Sequence, residues 1–268
     1  KPSSAASDVY KRQGEYPFTV IVNEVNIGSG AAKATGLSYV NTEYVAFLDA
    51  DDAWDPNFLQ LQKQMWKQNK ETAFRTRILL DAKVRGAVTL LNLWKSNPFT
   101  SSAIVYAVEK LRNIGGYTKN SPVDDFETIV RLYLNDYVLL RFPFSVGIYG
   151  ISQGQVTARI THQLKGQLRA YKLLSSAFPP EIRSKKIKRK TFHLWIRAIA
   201  KCANYGMSHL DIPNVQKVGL TDLLSKTLYR LLSINILWKL ASSLWRAQGR
   251  LRYHFLKFVV LIVPSLKV

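Results

Sequence analysis

In the first part of the chain, short apolar blocks are separated by polar turns; later they give way to longer helical periods. The run Tyr44-Val45-Ala46-Phe47-Leu48 is apolar throughout and predicts a strand buried in an α/β sheet. Upstream, the β-branched run Phe18 to Val22 predicts another strand, and Asn26-Ile27-Gly28-Ser29-Gly30 a glycine-rich turn. Ala31 to Tyr39 follows as a short helix, so the order strand, turn, helix, strand implies a βαβ unit and a parallel sheet. From Asn57 to Lys70, the residues Phe58, Leu61, Met65 and Trp66 recur at helical spacing with Lys and Gln between them, an amphipathic pattern. Residues 71–96 read as helix and loop, Ala103 to Val108 as a strand, and Glu109 to Asn113 as a helical turn ended by Gly115-Gly116. A helix is predicted from Ser121 to Asn135, with Ser121 as cap, Pro122 at the first helical position and Asp124, Asp125 and Glu127 in the first turn. Strands close this part at Tyr137 to Phe142 and Val146 to Tyr149.

After Arg159 the pattern turns helical. Helices are expected over 160–176, 192–205 and 221–263, with a break at Pro179-Pro180 and a dense basic run over 184–190. The organisation expected is a foreign linker over 1–14, an α/β unit over 15–159 and a basic helical extension over 160–268. Charge sharpens that division. Residues 1–159 carry 18 Lys and Arg against 15 Asp and Glu, whereas 160–268 carry 20 against 3, so nearly all of the +20 net charge belongs to the helical part. Such a surface is suited to phosphate-bearing partners. The single cysteine, Cys202, excludes an intramolecular disulfide and fits a reducing compartment. No apolar run is long enough to span a bilayer, and Lys1 to Gln13 lacks a signal-peptide core.

Candidate chemistry concentrates at the end of the Tyr44–Leu48 strand, where Asp49, Asp51 and Asp52 precede Trp54 and Pro56. Ligands of open α/β sheets bind outside the carboxyl ends of strands. Asp49 and Asp51, two apart, project to one side if the strand geometry continues, and hard oxygens there suit Mg²⁺ or Mn²⁺ carrying phosphate. The plainer reading is an acidic turn capping the helix that starts near Pro56. Likewise, Asp124 and Asp125 are either catalytic or simply complement a helix dipole.

Asn26-x-Gly28, Ala32-Lys33 and Gly36, followed by Glu43 through Asp52 with Trp54 and Pro56, resemble a family 2 glycosyltransferase of the GT-A fold. Thr100-Ser101-Ser102, Gly115-Gly116-Tyr117 and Asp124-Asp125 extend the resemblance, which covers roughly residues 16–157. It implies a partial GT-A, Rossmann-like α/β sheet followed by an all-helical region. It also implies inverting transfer of a sugar, most simply from a UDP-sugar, to an acceptor hydroxyl in bacterial cell-surface glycan assembly. By that resemblance Asp51 is the metal ligand and Asp49 contacts the ribose or the metal, with Asp52 supporting them. Asn26, Gly28 and Lys33 lie on the donor side, Lys33 where the family commonly has arginine. Asp125 is the general base and Asp124 its neighbour, although the family usually has Glu at the latter position. Trp54, Ser101, Gly115 and Gly116 border the acceptor, Trp54 being either a sugar platform or a core anchor.

Two features depart from the family pattern. The stretch Tyr149-Gly150-Ile151-Ser152 lacks the arginine and histidine found in many relatives. The first strands of such a domain have no counterpart, which leads to the expectation of a fragment with weak or no activity. In the tail, Lys239, Arg246, Arg250 and Lys257 fall on one stripe of a helix at ~100° per residue, flanked by Trp238, Trp245 and Phe255. This suits an anionic membrane surface bound through 221–263, a lipid-linked or glycan acceptor, and a cytoplasmic protein peripheral on the inner face of the plasma membrane. The other reading, to which Arg230 and Arg252 on the opposite side add weight, is a helical cap packed on the core with its basic stripe in water. The alternatives are a non-catalytic glycosyltransferase-like scaffold and a nucleic-acid-binding helical module centred on Arg183 to Lys190. No recognition motif accompanies that basic run, so no nucleic-acid partner is expected.

Overall fold

The computed structural model describes residues 19–68, 73–75, 86–141, 147–148, 160–204, 213–214 and 229. The readings of 1–14, of the 149–157 loop and of the 221–263 helix lie outside the described residues, Tyr229 excepted.

The helix α1 (Ser29–Ser38) starts at Gly28, whose φ of 83° is left-handed and whose amide is held by the Asn26 side chain at 3.0 Å. The strand β1 (Tyr44–Ala46) follows, then β2 (Ala53–Trp54), α2 (Phe58–Gln68), β3 (Ala73–Arg75) and β4 (Gly86–Ala87). Next come α3 (Leu90–Lys95), capped by a reciprocal Thr89–Asn92 box, a 3₁₀ turn at Ser101–Ala103, β5 (Ile104–Ala107) and α4 (Val108–Asn113). The chain continues through α5 (Asp124–Leu134), β6 (Leu139–Arg141), β7 (Gly147–Ile148), α6 (Ile160–Leu174), a 3₁₀ turn at Ser175–Ala177 and α7 (Pro180–Asn204).

Five strands form a mixed sheet in the order β1-β5-β3-β6-β4, and β2 pairs with β7 beside it. Only β3 and β6 run parallel among the described strands. The buried strand β5 lies between β1 and β3, with Val45 opposite Tyr106 and Phe74 opposite Val105.

Several expectations need correction here. Residues 19–22 form no strand: Val22 and Val25 are each 70% exposed, and a β-branched run stays irregular when no neighbouring ladder satisfies its backbone. The parallel βαβ reading fails for β1, whose partner β5 is antiparallel. Residues 71–96 contribute two short strands as well as a helix. The helix predicted from Ser121 begins at Asp124, because the Ser121 hydroxyl accepts from the Val123 amide and closes a local turn instead of capping the helix. The basic run predicted to precede a helix at 192 lies inside the 25-residue α7, with Pro180 at its first position.

One hydrophobic core joins the sheet to the helical extension. It runs from Ile104, Tyr106 and Leu139 through Phe126 and Ile129 to Leu164, Tyr171, Leu194 and Trp195. The Trp195 indole donates to the Pro213 carbonyl at 2.8 Å, and Cys202 is buried in this core. Tyr229 packs against the same core. No helix among the described residues is long and apolar enough to cross a membrane.

Candidate functional site

The backbone after β1 folds into a tight turn in which the Asp52 amide bonds the Asp49 carbonyl at 3.0 Å. The turn is tied to the 3₁₀ segment by Ser102, which is completely buried. Its hydroxyl accepts from the Asp49 amide at 3.0 Å and donates to Asp52 Oδ2 at 2.6 Å. The indole of Trp54 donates to the Ser102 carbonyl and stacks on Phe58, with centroids 4.4 Å apart. That contact makes one face of Trp54 a packing anchor. Asp51, at the apex, is exposed.

Lys33 reaches this turn from α1. Its ammonium pairs with Asp49 Oδ1 at 2.8 Å, donates to Ser101 Oγ at 2.7 Å and lies 5.3 Å from the Tyr117 ring centre. At 12% exposure, its side chain is no solvated helix lysine. Ser101 is itself buried against the Tyr117 hydroxyl at 3.2 Å, so the serine predicted on the acceptor side orients the lysine.

The second carboxylate pair starts α5. Asp124 is 7% exposed; Ser29 Oγ donates to its Oδ2 at 2.9 Å, and the Asp125 amide to its Oδ1 at 2.8 Å. This contact between the starts of α1 and α5 requires Gly30, because a Cβ there would stand 2.1 Å from the Thr118 carbonyl and 2.9 Å from Asp124 Cβ. Asp125 is half-buried and accepts from Asn97 Nδ2 at 3.1 Å. Burial first, and the charge of Asp124 second, push its carboxyl from an ordinary 3.8 to about 6, against the opposing pull of the Phe126 amide, Lys33 and Asn97. The phenol of Tyr106 feels the same two carboxylates; burial above all holds it far above the usual range, so it stays neutral.

Gly115 and Gly116, predicted to border the acceptor, both have positive φ and lie in the loop that ends α4. Arg131 of α5 clamps that loop, donating to the Ile114 and Gly116 carbonyls at 2.6 and 2.7 Å and to Thr118 Oγ1 at 2.7 Å. The helical extension braces the same region. Arg169 of α6 pairs with Glu127 at 2.9 Å and donates to the Asn120 carbonyl at 3.1 Å. Gly166 lets α6 approach Pro122, since a Cβ there would meet the proline ring at 2.6 Å.

The structure thus brings Lys33, Asp49 and Ser101 together through direct contacts and ties Asp52 and Trp54 to the same turn through Ser102, with Asp125 joined to them by the charge of Lys33. Asn26 and Gly28 shape the start of α1 instead of touching the acidic turn. Sequence reasoning missed Ser29, Ser102 and Arg131 as organisers, because a serine or arginine that bonds backbone across distant segments leaves no local spacing signal. For a cation, the described residues contain no group of three His, Cys, Asp or Glu side chains. Two carboxylates on one turn do fit a hard divalent ion whose remaining ligands are phosphate oxygens and water, as Mg²⁺ and Mn²⁺ commonly bind.

A mixed α/β sheet with an acidic turn beyond a strand end and a carboxylate pair at a helix start is the arrangement expected from the resemblance to the GT-A fold. Residues 4–109 match the family model of glycosyl transferase family 2. The match begins inside the stretch read as foreign linker. A UDP-Glc:alpha-D-GlcNAc-diphosphoundecaprenol beta-1,3-glucosyltransferase of Escherichia coli, WfgD, is 38% identical over 50 residues, which is 19% of this chain and only 20% of that relative's length. Among solved structures, Staphylococcus aureus TarS 1–349 in complex with UDP-GlcNAc superposes with a TM-score of 0.56 at 14% identity, covering 92% of this chain and 80% of TarS. The Pyrobaculum calidifontis mannosyltransferase PcManGT, in complex with GDP-Man and Mn²⁺, gives 0.56 at 16% identity, covering 92% and 76%. At these identities the structures establish the fold.

Proposed function

We propose that this chain transfers a sugar from a nucleotide-diphosphate sugar, a UDP-sugar in the first instance, to an acceptor hydroxyl with inversion at the anomeric carbon. The observation that carries the reading is Asp125, a half-buried carboxylate raised to about 6 and electrostatically linked through Lys33 to the acidic turn. A base works best when its affinity for the proton lies near the working pH. Asp125 would take the proton from the acceptor oxygen as that oxygen attacks the anomeric carbon and the bond to the diphosphate breaks. Asn97 holds one carboxylate oxygen of Asp125 at 3.1 Å and so fixes the orientation in which the carboxylate would meet the acceptor. Lys33 places positive charge beside Asp49, where the negative charge of a leaving diphosphate would gather. A Mg²⁺ or Mn²⁺ ion held by Asp51 and Asp49 would supply Lewis-acid stabilisation of that leaving group.

The donor and acceptor assignments draw on relatives: the WfgD name specifies UDP-Glc and a diphosphoundecaprenol-linked acceptor, and PcManGT was solved with GDP-Man and Mn²⁺. We extend this to a lipid-linked glycan acceptor in cell-surface glycan assembly, with the protein on the cytoplasmic face of the membrane through its basic tail. The test is nucleotide release from a panel of UDP- and GDP-sugars with Mg²⁺ or Mn²⁺, in the presence of diphosphate-linked glycan acceptors. Release with one donor, lost on chelation, supports the reading. No release, together with no binding of any nucleotide by calorimetry, would favour the non-catalytic scaffold.

A further inference from the structure

A second site lies between α3 and α7, away from the acidic turn. It is a pocket of about 390 Å³ lined by Lys95, Lys186, Arg189, Lys190, His193 and Arg197, with Trp94 and two leucines as its apolar wall. None of the described residues that line it is a carboxylate. The five groups contributed by α7 are not scattered around that helix. Counted from Lys186 at ~100° per residue, Arg189, Lys190, His193 and Arg197 fall at about −60°, +40°, −20° and +20°. They therefore share one face.

Lys190 is the floor of the pocket. It is 9% exposed, donates to the carbonyls of Trp94 and Lys95 at 2.6 and 3.2 Å, and lies 3.9 Å from the Tyr171 ring centre. Those contacts account for Lys190 as a cap on the last turn of α3. They do not account for the cations above it. Lys95, Arg189 and Arg197 are exposed around the mouth, and Lys186 lies over the Phe178 ring. The two ion pairs of the described residues, Lys33–Asp49 and Arg169–Glu127, involve none of the six. Like charges three and four apart on a helix destabilise it. The repulsion registers on the titration: burial and then Arg197 lower Lys190 to about 8, and the solvent-facing His193 is lowered by partial burial and by Arg189, Lys190 and Arg197.

We propose that this pocket binds the phosphoryl oxygens of a diphosphate or closely spaced phosphate esters. Arg189 and Arg197 offer planar donors at its mouth, Lys95 and Lys186 add point charges, and Lys190 supplies a fixed positive floor. A multiply charged anion removes the repulsion among the five α7 groups, which a single chloride-like charge would do only partly. The site stands apart from the donor reading, because its lining residues differ from the partners that hold Lys33, Asp49 and Asp125, which are Ser101, Ser102 and Asn97.

The test titrates the whole chain with inorganic pyrophosphate in EDTA, following heat by calorimetry and the His193 ring signals by NMR. Saturable binding is expected, with His193 protonating at a higher pH in the complex, and at least tenfold weaker affinity in Arg189→Gln/Arg197→Gln. Absence of saturable binding, or equal affinity in the double variant with an unmoved His193, would overturn the proposal. Vesicle sedimentation separates the sources of the anion. Pelleting on phosphatidic acid but not on phosphatidylserine vesicles, lost in the double variant, assigns a lipid-borne phosphate; pyrophosphate binding without pelleting assigns a soluble ester. Tighter binding of duplex DNA than of pyrophosphate, lost in the same variant, would overturn it in favour of a nucleic-acid surface.

Discussion

Replacing Asp125 with Asn should stabilise the protein, and only where Asp125 is ionised. The carboxylate sits half-buried beside the buried Asp124, and its protonation midpoint rises from 3.8 to about 6 in the fold. At ~1.4 kcal/mol for each tenfold change in proton affinity, that gap makes the ionised group cost about 3 kcal/mol of folding free energy. The sign follows from the direction of the shift. The folded state binds the proton more tightly than the unfolded chain, so the penalty is full above about 6 and fades as pH falls through 6 toward 3.8. Asn keeps the shape and can still accept from Asn97 while removing the charge. Urea unfolding at pH 8 should therefore show Asp125→Asn more stable by up to about 3 kcal/mol, a rise of roughly 5–10 °C in Tm, and at pH 4 little different from the parent. Equal destabilisation at both pH values, or no gain at pH 8, would refute the account of that carboxylate. A residue whose removal stabilises the fold is one retained for another reason.

Other perturbations follow from the same geometry. Gly30→Ala drives a Cβ to within 2.1 Å of the Thr118 carbonyl, and should cost about 1–3 kcal/mol of stability by urea titration because backbone must move. Arg131→Met leaves the Ile114 and Gly116 carbonyls and the Thr118 hydroxyl without their donor; a loss of about 2–3 kcal/mol is expected, with Arg131→Lys partly restoring it. Lys33→Met removes the nearby cation that opposes the rise of Asp125, so the pH-stability profile should shift its midpoint above 6. A midpoint unmoved in Lys33→Met would mean that the two acidic clusters are not coupled.

How much of this was legible in the sequence depended on the range of each interaction. The helices α1, α2, α4 and α6 were readable to within two or three residues, because their apolar spacing and glycine or proline punctuation are local signals. The start of α5 was misplaced because Ser121 and Pro122 mimic a cap while forming a turn of their own. The Phe18–Val22 run misled for a different reason: β propensity is expressed only when a partner strand is present, and residues 19–22 have none among the described residues. In the candidate site, Asp49, Asp51, Asp52, Asp124 and Asp125 stood out as clustered carboxylates. What holds them did not. Ser29 lies 95 positions from Asp124, Lys33 lies 68 from Ser101, and Asn97 lies 28 from Asp125. Contacts of that range are set by the packing of α1 against α5 and of the 3₁₀ turn against the β1 end, which no periodicity encodes. The basic run over 184–190 was visible as charge, yet its assembly with Lys95 and Trp94 depended on α7 crossing α3.

The central claim is that Asp125 is a base for transfer from a nucleotide-diphosphate sugar. It is tested most directly by single-turnover transfer from a bound UDP-sugar, measured from pH 5 to 8 in the parent and in Asp125→Asn, with donor affinity measured in parallel. The account predicts a rate that climbs through about pH 6 in the parent, and in the variant a rate at least a hundredfold lower with unchanged donor affinity. A variant that transfers sugar at the parental rate would contradict it.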